Sequence, residues 1–162
     1  MQTVRRYLAV LVGLLIATSM TSISQTNPLP NYKSDPRLMK IKQFFKLLDS
    51  PAYFLAEDFL LAADRNRLDW RLLPSLSVME SGGGKNYTNN NILGWGSCRQ
   101  KFPSVSAGIH HVAFRLAQSR LYRDKGLDGI LSTYNPFEGY PRQVKKLMDR
   151  LALDRGGPAN RR

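Results

Sequence analysis

The chain has 162 residues, a formal net charge of +12 and one cysteine, Cys98. Its length suits a single domain with its own hydrophobic core, and one cysteine excludes both an internal disulfide framework and a metal site made from several cysteines. The positive charge indicates an anionic partner, which could be nucleic acid, anionic lipid or a carboxylate-bearing wall polymer.

The first 24 residues are typical of a secretory signal peptide. Arg5 and Arg6 give a positive start, and residues 7–17 form an apolar run that is short for a membrane span of about 20 residues. Cleavage near Ser24 would leave a secreted or periplasmic protein with no stable membrane span, although an uncleaved anchor stays open. Export argues against nucleic acid as the physiological partner.

The rest of the chain divides into three parts. Residues 25–34 contain two prolines and are predicted to form a linker. Residues 35–153 are predicted to form one domain, and the basic residues 154–162 a disordered tail. We expect the domain to be monomeric.

Apolar residues recur at helical spacing along most of the domain. Residues that favour helix starts precede several of these runs: Ser34, Ser50, Asp69 and Ser104. The pattern predicts helices over residues 36–49, 51–64, 70–81, 105–118 and 127–132, and a last helix from about residue 141. Short connections favour a compact, mainly α domain. Beside these helices, residues 87–95 are expected to form an irregular loop or a small hairpin.

Glu80 is a candidate for acid catalysis. It lies on the same side of its helix as Leu73 and Leu76 and in the last turn before three glycines, residues 82–84. Apolar neighbours and the negative end of the helix dipole should both raise the pKa of this carboxyl. A general acid near neutral pH needs such a shift. The alternative is an ordinary solvated glutamate at a helix end.

The sequence contains no motif for a metal or a cofactor, and we predict neither. His110 and His111 are adjacent on a predicted helix. Because neighbouring helical positions point about 100° apart, these two side chains cannot share a metal as an i, i+4 pair would. Residues 81–123 contain no Asp or Glu, while they include six basic residues, at positions 85, 99, 101, 115, 120 and 123. This segment should therefore attract anionic polymers.

Three motifs follow one another in the middle of the chain: LDWRLLP (68–74), VMESGGGK (78–85) and NNILGWG (90–96). Phe-Pro-Ser at 102–104 and Tyr-Asn-Pro at 134–136 come after them. This ordered series resembles the catalytic half of the lysozyme-like wall hydrolases. It is most similar to the bacterial glucosaminidase family and more loosely resembles the lytic transglycosylases. The resemblance extends over most of the predicted domain.

The resemblance implies a lysozyme-like (α+β, mainly α) fold with a groove for the glycan strands of peptidoglycan. In it, Glu80 matches the catalytic acid at the end of its helix. Asn90 and Asn91 match the loop that follows, and Tyr134 matches an aromatic residue lining the groove.

The residue types fit this chemistry, since cleavage of a glycosidic bond requires protonation of the leaving oxygen. Trp95 and Tyr134 could pack against sugars, and Tyr87 is a further substrate-binding candidate. Asn90 and Asn91 could hydrogen-bond acetamido and hydroxyl groups. The alternative for each asparagine is a turn residue that tolerates a left-handed backbone.

A second carboxylate is harder to assign. Glu138, close to Tyr134 in sequence, is the first candidate, but many enzymes of this kind use the substrate's own acetamido group. The nucleophile therefore stays unassigned. The sequence predicts a peptidoglycan glycosidase of N-acetylglucosaminidase type, with a lytic transglycosylase or muramidase of the same fold as the alternative. Two alternatives belong to other functional classes. One is a non-catalytic module that binds the cell wall, and the other is a basic protein that acts on membranes or nucleic acid.

Overall fold

The computed structural model describes residues 31–153, and all regular structure in this range is helical. The α-helices are α1 (Pro36–Leu47), α2 (Ala56–Asn66), α3 (Leu72–Ser81), α4 (Val105–Gln118), α5 (Leu127–Tyr134) and α6 (Tyr140–Ala152). Short 3-10 helices cover Tyr32–Ser34 and Pro51–Leu55. The mainly α prediction is confirmed. The predicted signal peptide and tail lie outside the described residues.

The hairpin alternative for residues 87–95 is wrong, because this stretch contains no strand and consists of turns. Asn89, Asn90 and Gly94 have positive φ angles of 57°, 55° and 66°. Such left-handed residues reverse the chain within a few positions, which prevents the extended backbone that a ladder requires. The stretch is the irregular loop that the sequence also allowed.

Local sequence signals predicted some helix ends correctly and others poorly. Helix α4 has the predicted bounds, and the Ser104 hydroxyl caps it by accepting from the amide of Ala107 at 3.1 Å. Helix α1 is capped by Asp35 rather than Ser34, since the Asp35 carboxylate accepts from the amide of Arg37 at 2.8 Å. Asp69 accepts from the amide of Arg71, and α3 begins only after this turn.

Helix α3 is the central helix. Its residues Leu72 to Ser77 are all buried, and it packs between α2 and α6. Two serine side chains of this helix bond to its own backbone: Ser77 donates to the carbonyl of Pro74 at 2.7 Å, and Ser81 to the carbonyl of Ser77 at 2.9 Å. The buried hydroxyl of Ser75 has no partner among the described residues. The central position of α3 holds its last turn, and therefore Glu80, in one place.

The packed domain includes residues that the sequence assigned to the linker. Tyr32 is buried in the core, and its hydroxyl donates to Asp64 at 2.9 Å. Burial, together with this carboxylate, raises the pKa of Tyr32 to about 12. The guanidinium of Arg37 donates hydrogen bonds to both Asp35 and Asp64. These contacts fasten the start of the domain to α2.

The glycines after α3 form a tight turn against the start of the 3-10 helix at Pro51. The carbonyl of Gly83 accepts from the hydroxyl of Ser50 at 2.6 Å and from the amide of Ala52 at 3.1 Å. Gly83 has a φ of 70°, and a Cβ there would overlap the Ser50 hydroxyl. Only glycine fits both the backbone angle and the space.

We expect Gly83→Ala to destabilise the domain by roughly 2–4 kcal/mol, the sum of left-handed strain and overpacking. Gly82→Ala is the matched control, because Gly82 has a similar φ of 62° but its Cβ would only touch the Lys85 side chain at 3.5 Å. Urea unfolding of both variants checks the difference. Equal midpoints would show that the contact with Ser50 contributes nothing.

Within residues 31–153, no helix is both long and apolar enough to cross a lipid bilayer.

Candidate active site

An open cavity of about 440 Å³ lies at the end of α3, where the loop after Gly82 meets the loop before α6. Its lining comes from four separate parts of the chain: Glu80, Gly94, Trp95, Gly96, Ser97, Tyr122, Tyr134, Asn135 and Pro136. Of these residues only Glu80 carries a carboxyl group. The structure thus brings together three residues predicted for the site, Glu80, Trp95 and Tyr134.

The Glu80 carboxyl is half-buried and held from two sides. The hydroxyl of Tyr140, on α6, donates to its Oε1 at 2.6 Å. On the other side lies the backbone of Gly94, where a Cβ would overlap Oε2 and lie 3.1 Å from the carboxyl carbon. These contacts fix the orientation of the carboxyl, while one part of it faces the cavity.

Burial raises the pKa of Glu80, and the hydrogen bond from Tyr140 partly opposes the shift by stabilising the charged form. The direction agrees with the expectation from the sequence. A carboxyl group with a raised pKa keeps its proton to higher pH than an exposed glutamate. This is the property that proton donation to a leaving group requires.

Tyr140→Phe tests the hydrogen bond. Without it the pKa of Glu80 should rise further, so activity that depends on protonated Glu80 should persist to higher pH. We also expect kcat/KM at the optimum to fall about tenfold, because the carboxyl loses a contact that orients it.

The measurement is the pH profile of glycan cleavage on solubilised peptidoglycan strands. Tyr122→Phe is the control, since Tyr122 lines the same cavity but its hydroxyl makes no hydrogen bond to Glu80 within the described residues. An alkaline limb that stays in place in Tyr140→Phe would contradict the role of the bond.

Aromatic rings form one wall of the cavity. The Trp95 ring lies 5.9 Å from that of Tyr122 and 5.8 Å from that of Tyr134, and Tyr134 stacks on Tyr140 at 6.3 Å. The Tyr134 hydroxyl donates to the carbonyl of Leu93. Burial and the nearby charge of Glu80 raise the pKa of Tyr134 well above its usual value. The ring is thus a neutral surface beside the acid.

The ring of His111 packs edge-on against Trp95 at 6.3 Å and is tilted against Phe102 at 5.3 Å. Burial lowers the pKa of His111. The contact supports Trp95 from the side of α4. Among the described residues, no group of three or more His, Cys, Asp or Glu side chains is placed to hold a metal ion.

The two asparagines organise the loop. Asn91 is 2% exposed; both hydrogens of its side-chain amide go to carbonyls of the loop, on Trp95 and Gln100, and its oxygen accepts from the amide of Trp95. Asn90 donates to the carbonyl of Phe102 at 2.9 Å. Neither residue lines the cavity. The structure therefore favours the turn interpretation of both, with Asn91 fixing the position of Trp95.

Two other predicted residues lie away from Glu80. Tyr87 is 42% exposed and is not part of the cavity lining. Glu138 is exposed and lines a different depression together with Phe137, Gly139 and Arg142. The structure does not bring Glu138 into the cavity as a second carboxylate. Physically, the turn before α6 directs Glu138 to the surface, while the chain's next buried residue, Tyr140, reaches the acid.

Sequence reasoning gave several residues of the site no role in it. Tyr122 and Tyr140 are buried and flank the cavity, yet they lie 42 and 60 residues from Glu80 in the chain. Tyr140 falls at a core position of α6, four residues before Val144, so its pattern alone indicated only packing. Gly94 carried a usable signal, since a glycine between Leu93 and Trp95 is typical of a close backbone approach.

The surroundings of the cavity are basic. The segment after α3 contributes Lys85, Arg99 and Lys101, all exposed, and Arg120 and Arg123 are exposed near Tyr122. Residues 81–123 contain no acidic residue, and Arg123 pairs with Asp124 just after this stretch at 3.1 Å. The resulting positive field favours a polymer that carries carboxylates.

Comparisons with protein-family models, with curated proteins and with solved structures found no match.

Proposed function

We propose that the protein is a secreted or periplasmic peptidoglycan glycosidase with a lysozyme-like fold, of N-acetylglucosaminidase type, and with Glu80 as its general acid. The observation that carries the proposal is the half-buried Glu80 carboxyl, oriented by Tyr140 and Gly94 and facing an open cavity with aromatic walls. The motifs around Glu80 and their resemblance to the glucosaminidase family support the same function.

In the proposed reaction, protonated Glu80 donates its proton to the glycosidic oxygen as the bond to the sugar breaks. The positive charge that develops on the sugar ring is stabilised by the substrate's own acetamido group, and water then adds to the anomeric carbon to complete hydrolysis. Trp95 and Tyr134 pack against the sugar and position it. Exposed basic residues attract the stem-peptide carboxylates of the wall polymer.

The cavity offers a single carboxylate, which favours a particular group of mechanisms. Both classical two-carboxylate routes need a second acid within about 10 Å, and none of the cavity's described residues provides one. In a hydrolase with one carboxylate, the substrate's acetamido group would stabilise the positive charge on the sugar ring. In a lytic transglycosylase, a hydroxyl group of the substrate itself would attack the anomeric carbon. For this reason a lytic transglycosylase of the same fold is the second candidate, ahead of a muramidase that depends on two carboxylates.

Digestion of purified sacculi tests the proposal. We expect new soluble muropeptides, and mass spectrometry of their ends identifies the reaction: reducing glucosamine ends for a glucosaminidase, reducing muramic ends for a muramidase, and anhydromuramic ends for a transglycosylase. Binding to sacculi with no new ends would overturn the enzymatic proposal in favour of a wall-binding module.

A further inference from the structure

We propose that a surface of the domain outside the Glu80 cavity, which we term the α1 face, binds the surface of an anionic phospholipid bilayer. The α1 face consists of exposed apolar side chains with cationic side chains among them. Its defining residues are Met39, Lys42, Lys46, Leu47, Phe54 and Leu153. None of them lines the Glu80 cavity, so the inference does not depend on the proposed enzymatic function.

The face is continuous. Residues 39, 42, 43, 46 and 47 share one side of α1, because they follow each other at helical spacing. Three shallow depressions cover this side and share residues with one another: Gln43 lines two of them, and Lys46 and Tyr53 also line two. The surface therefore extends from the 3-10 helix at Phe54, across α1, to the end of α6 at Leu153.

The apolar side chains on this face are unusually exposed. Phe54 is 86% exposed, Leu153 63%, Met39 59% and Leu47 52%. They are half of the eight large apolar residues with such exposure in the described range. Single exposed apolar residues are normal on a protein surface, but a cluster marks an interaction site. Burying these four side chains requires an apolar phase or partner.

The polar part of the face is cationic. Lys46 and Arg150 are exposed, and the Lys42 ammonium lies 5.9 Å above the ring of Tyr53. Asp49 is the single acidic residue among those that line the three depressions. Past Leu153, the sequence adds three arginines against one aspartate. Positive charge therefore lies among the apolar side chains of the described face.

This combination fits an anionic bilayer better than a soluble polyanion. Phenylalanine, leucine and methionine side chains gain free energy by entering the acyl boundary, while lysines stay at the level of the headgroups. Each lysine near an anionic membrane surface strengthens binding by a factor of about five. A wall polysaccharide or nucleic acid would bind the cations, but it offers no apolar phase for Met39 and Leu47.

Fluorescence at single sites tests the inference in the full chain. With Cys98→Ser as background, Phe54→Cys is labelled with the environment-sensitive dye NBD, and Phe114→Cys serves as the control because Phe114 is also exposed (57%) but lies on α4. Vesicles contain phosphatidylcholine with or without 30% phosphatidylglycerol. We expect a blue shift and increased emission at position 54 with anionic vesicles, and no change at position 114.

Vesicle sedimentation provides the second measurement. We expect Phe54→Ser with Leu47→Ser to lower the partition coefficient on anionic vesicles at least about tenfold, whereas the matched control, Phe114→Ser with Leu121→Ser, leaves it unchanged. All variants keep residues 1–30, so any contribution of the apolar residues 7–17 is common to all of them.

Two outcomes would overturn the inference. One is an unchanged NBD signal at position 54 together with equal sedimentation of both double variants. The other is a loss of binding to sacculi, rather than to vesicles, in the Phe54 and Leu47 double variant, which would assign the α1 face to the wall polymer. Neither result depends on whether the protein cleaves glycan.

Discussion

Glu80→Gln should lower kcat for glycan cleavage about 10²–10⁴-fold, the usual contribution of a positioned general acid. Glutamine keeps the shape of the side chain and can still accept the hydrogen bond from Tyr140. It cannot donate a carboxyl proton to the glycosidic oxygen. The measurement is release of muropeptides from purified sacculi, followed by mass spectrometry over a long digestion.

A loss of folding would not explain this result. Because the pKa of Glu80 is raised in the folded state, the folded protein binds this proton more tightly than the unfolded chain. Stability from this group is therefore present at low pH and is lost as pH rises through the folded pKa. At neutral pH the uncharged glutamine should leave the melting temperature equal or higher, which thermal unfolding checks.

Glu138→Gln is the matched control, because Glu138 is the other glutamate that the sequence suggested and it lies at the surface, outside the cavity. We expect it to keep normal activity. If Glu80→Gln retained full activity, Glu80 would not be the acid. If Glu138→Gln were as inactive as Glu80→Gln, the single-carboxylate mechanism would be wrong.

Gly94→Ala should reduce activity at least about a hundredfold, although position 94 carries no reactive group. A Cβ at Gly94 would overlap Glu80 Oε2, so the carboxyl must move away from its present position between Tyr140 and the loop. Displacement of a catalytic group by about 1 Å can cost a factor of this size. The positive φ of 66° adds backbone strain of about 1–2 kcal/mol.

Gly96→Ala separates these two effects. Gly96 has a φ of 61°, so alanine there meets the same backbone strain, but the nearest atom to its Cβ would be Gln100 Cβ at 3.8 Å. We expect both variants to lose similar stability in urea and Gly94→Ala to be at least tenfold less active. Equal activity of the two would show that contact between Gly94 and the acid does not matter.

The sequence predicted helix ends best where interactions between neighbouring residues determine them. The run of Leu72, Leu73 and Leu76 and the glycines after Ser81 indicated a buried helix that stops just after Glu80, and α3 ends there. Ser104 correctly indicated the start of α4. These features depend on neighbours within one or two helical turns, so their physical causes are present in the local sequence.

The site depended on packing between distant segments. Tyr140 reaches Glu80 across 60 residues because α3 packs against α6. The same packing leaves Glu138 at the surface and gives the cavity one carboxylate. Asn91 was predicted to bind sugar, but its side chain makes its hydrogen bonds to the loop. A buried polar side chain must find its hydrogen-bond partners within the protein.

By itself, then, the sequence determined the helical class and the end of α3 and indicated Glu80 as a candidate acid, because periodicity, glycine content and a carboxylate beside an apolar stripe are properties of neighbouring residues. Only the tertiary structure decided which groups surround that carboxylate. Tyr140 and Gly94 contact Glu80, and Tyr122 lines the same cavity, through the packing of separate helices and loops. No local pattern records which distant residues a buried face will contact.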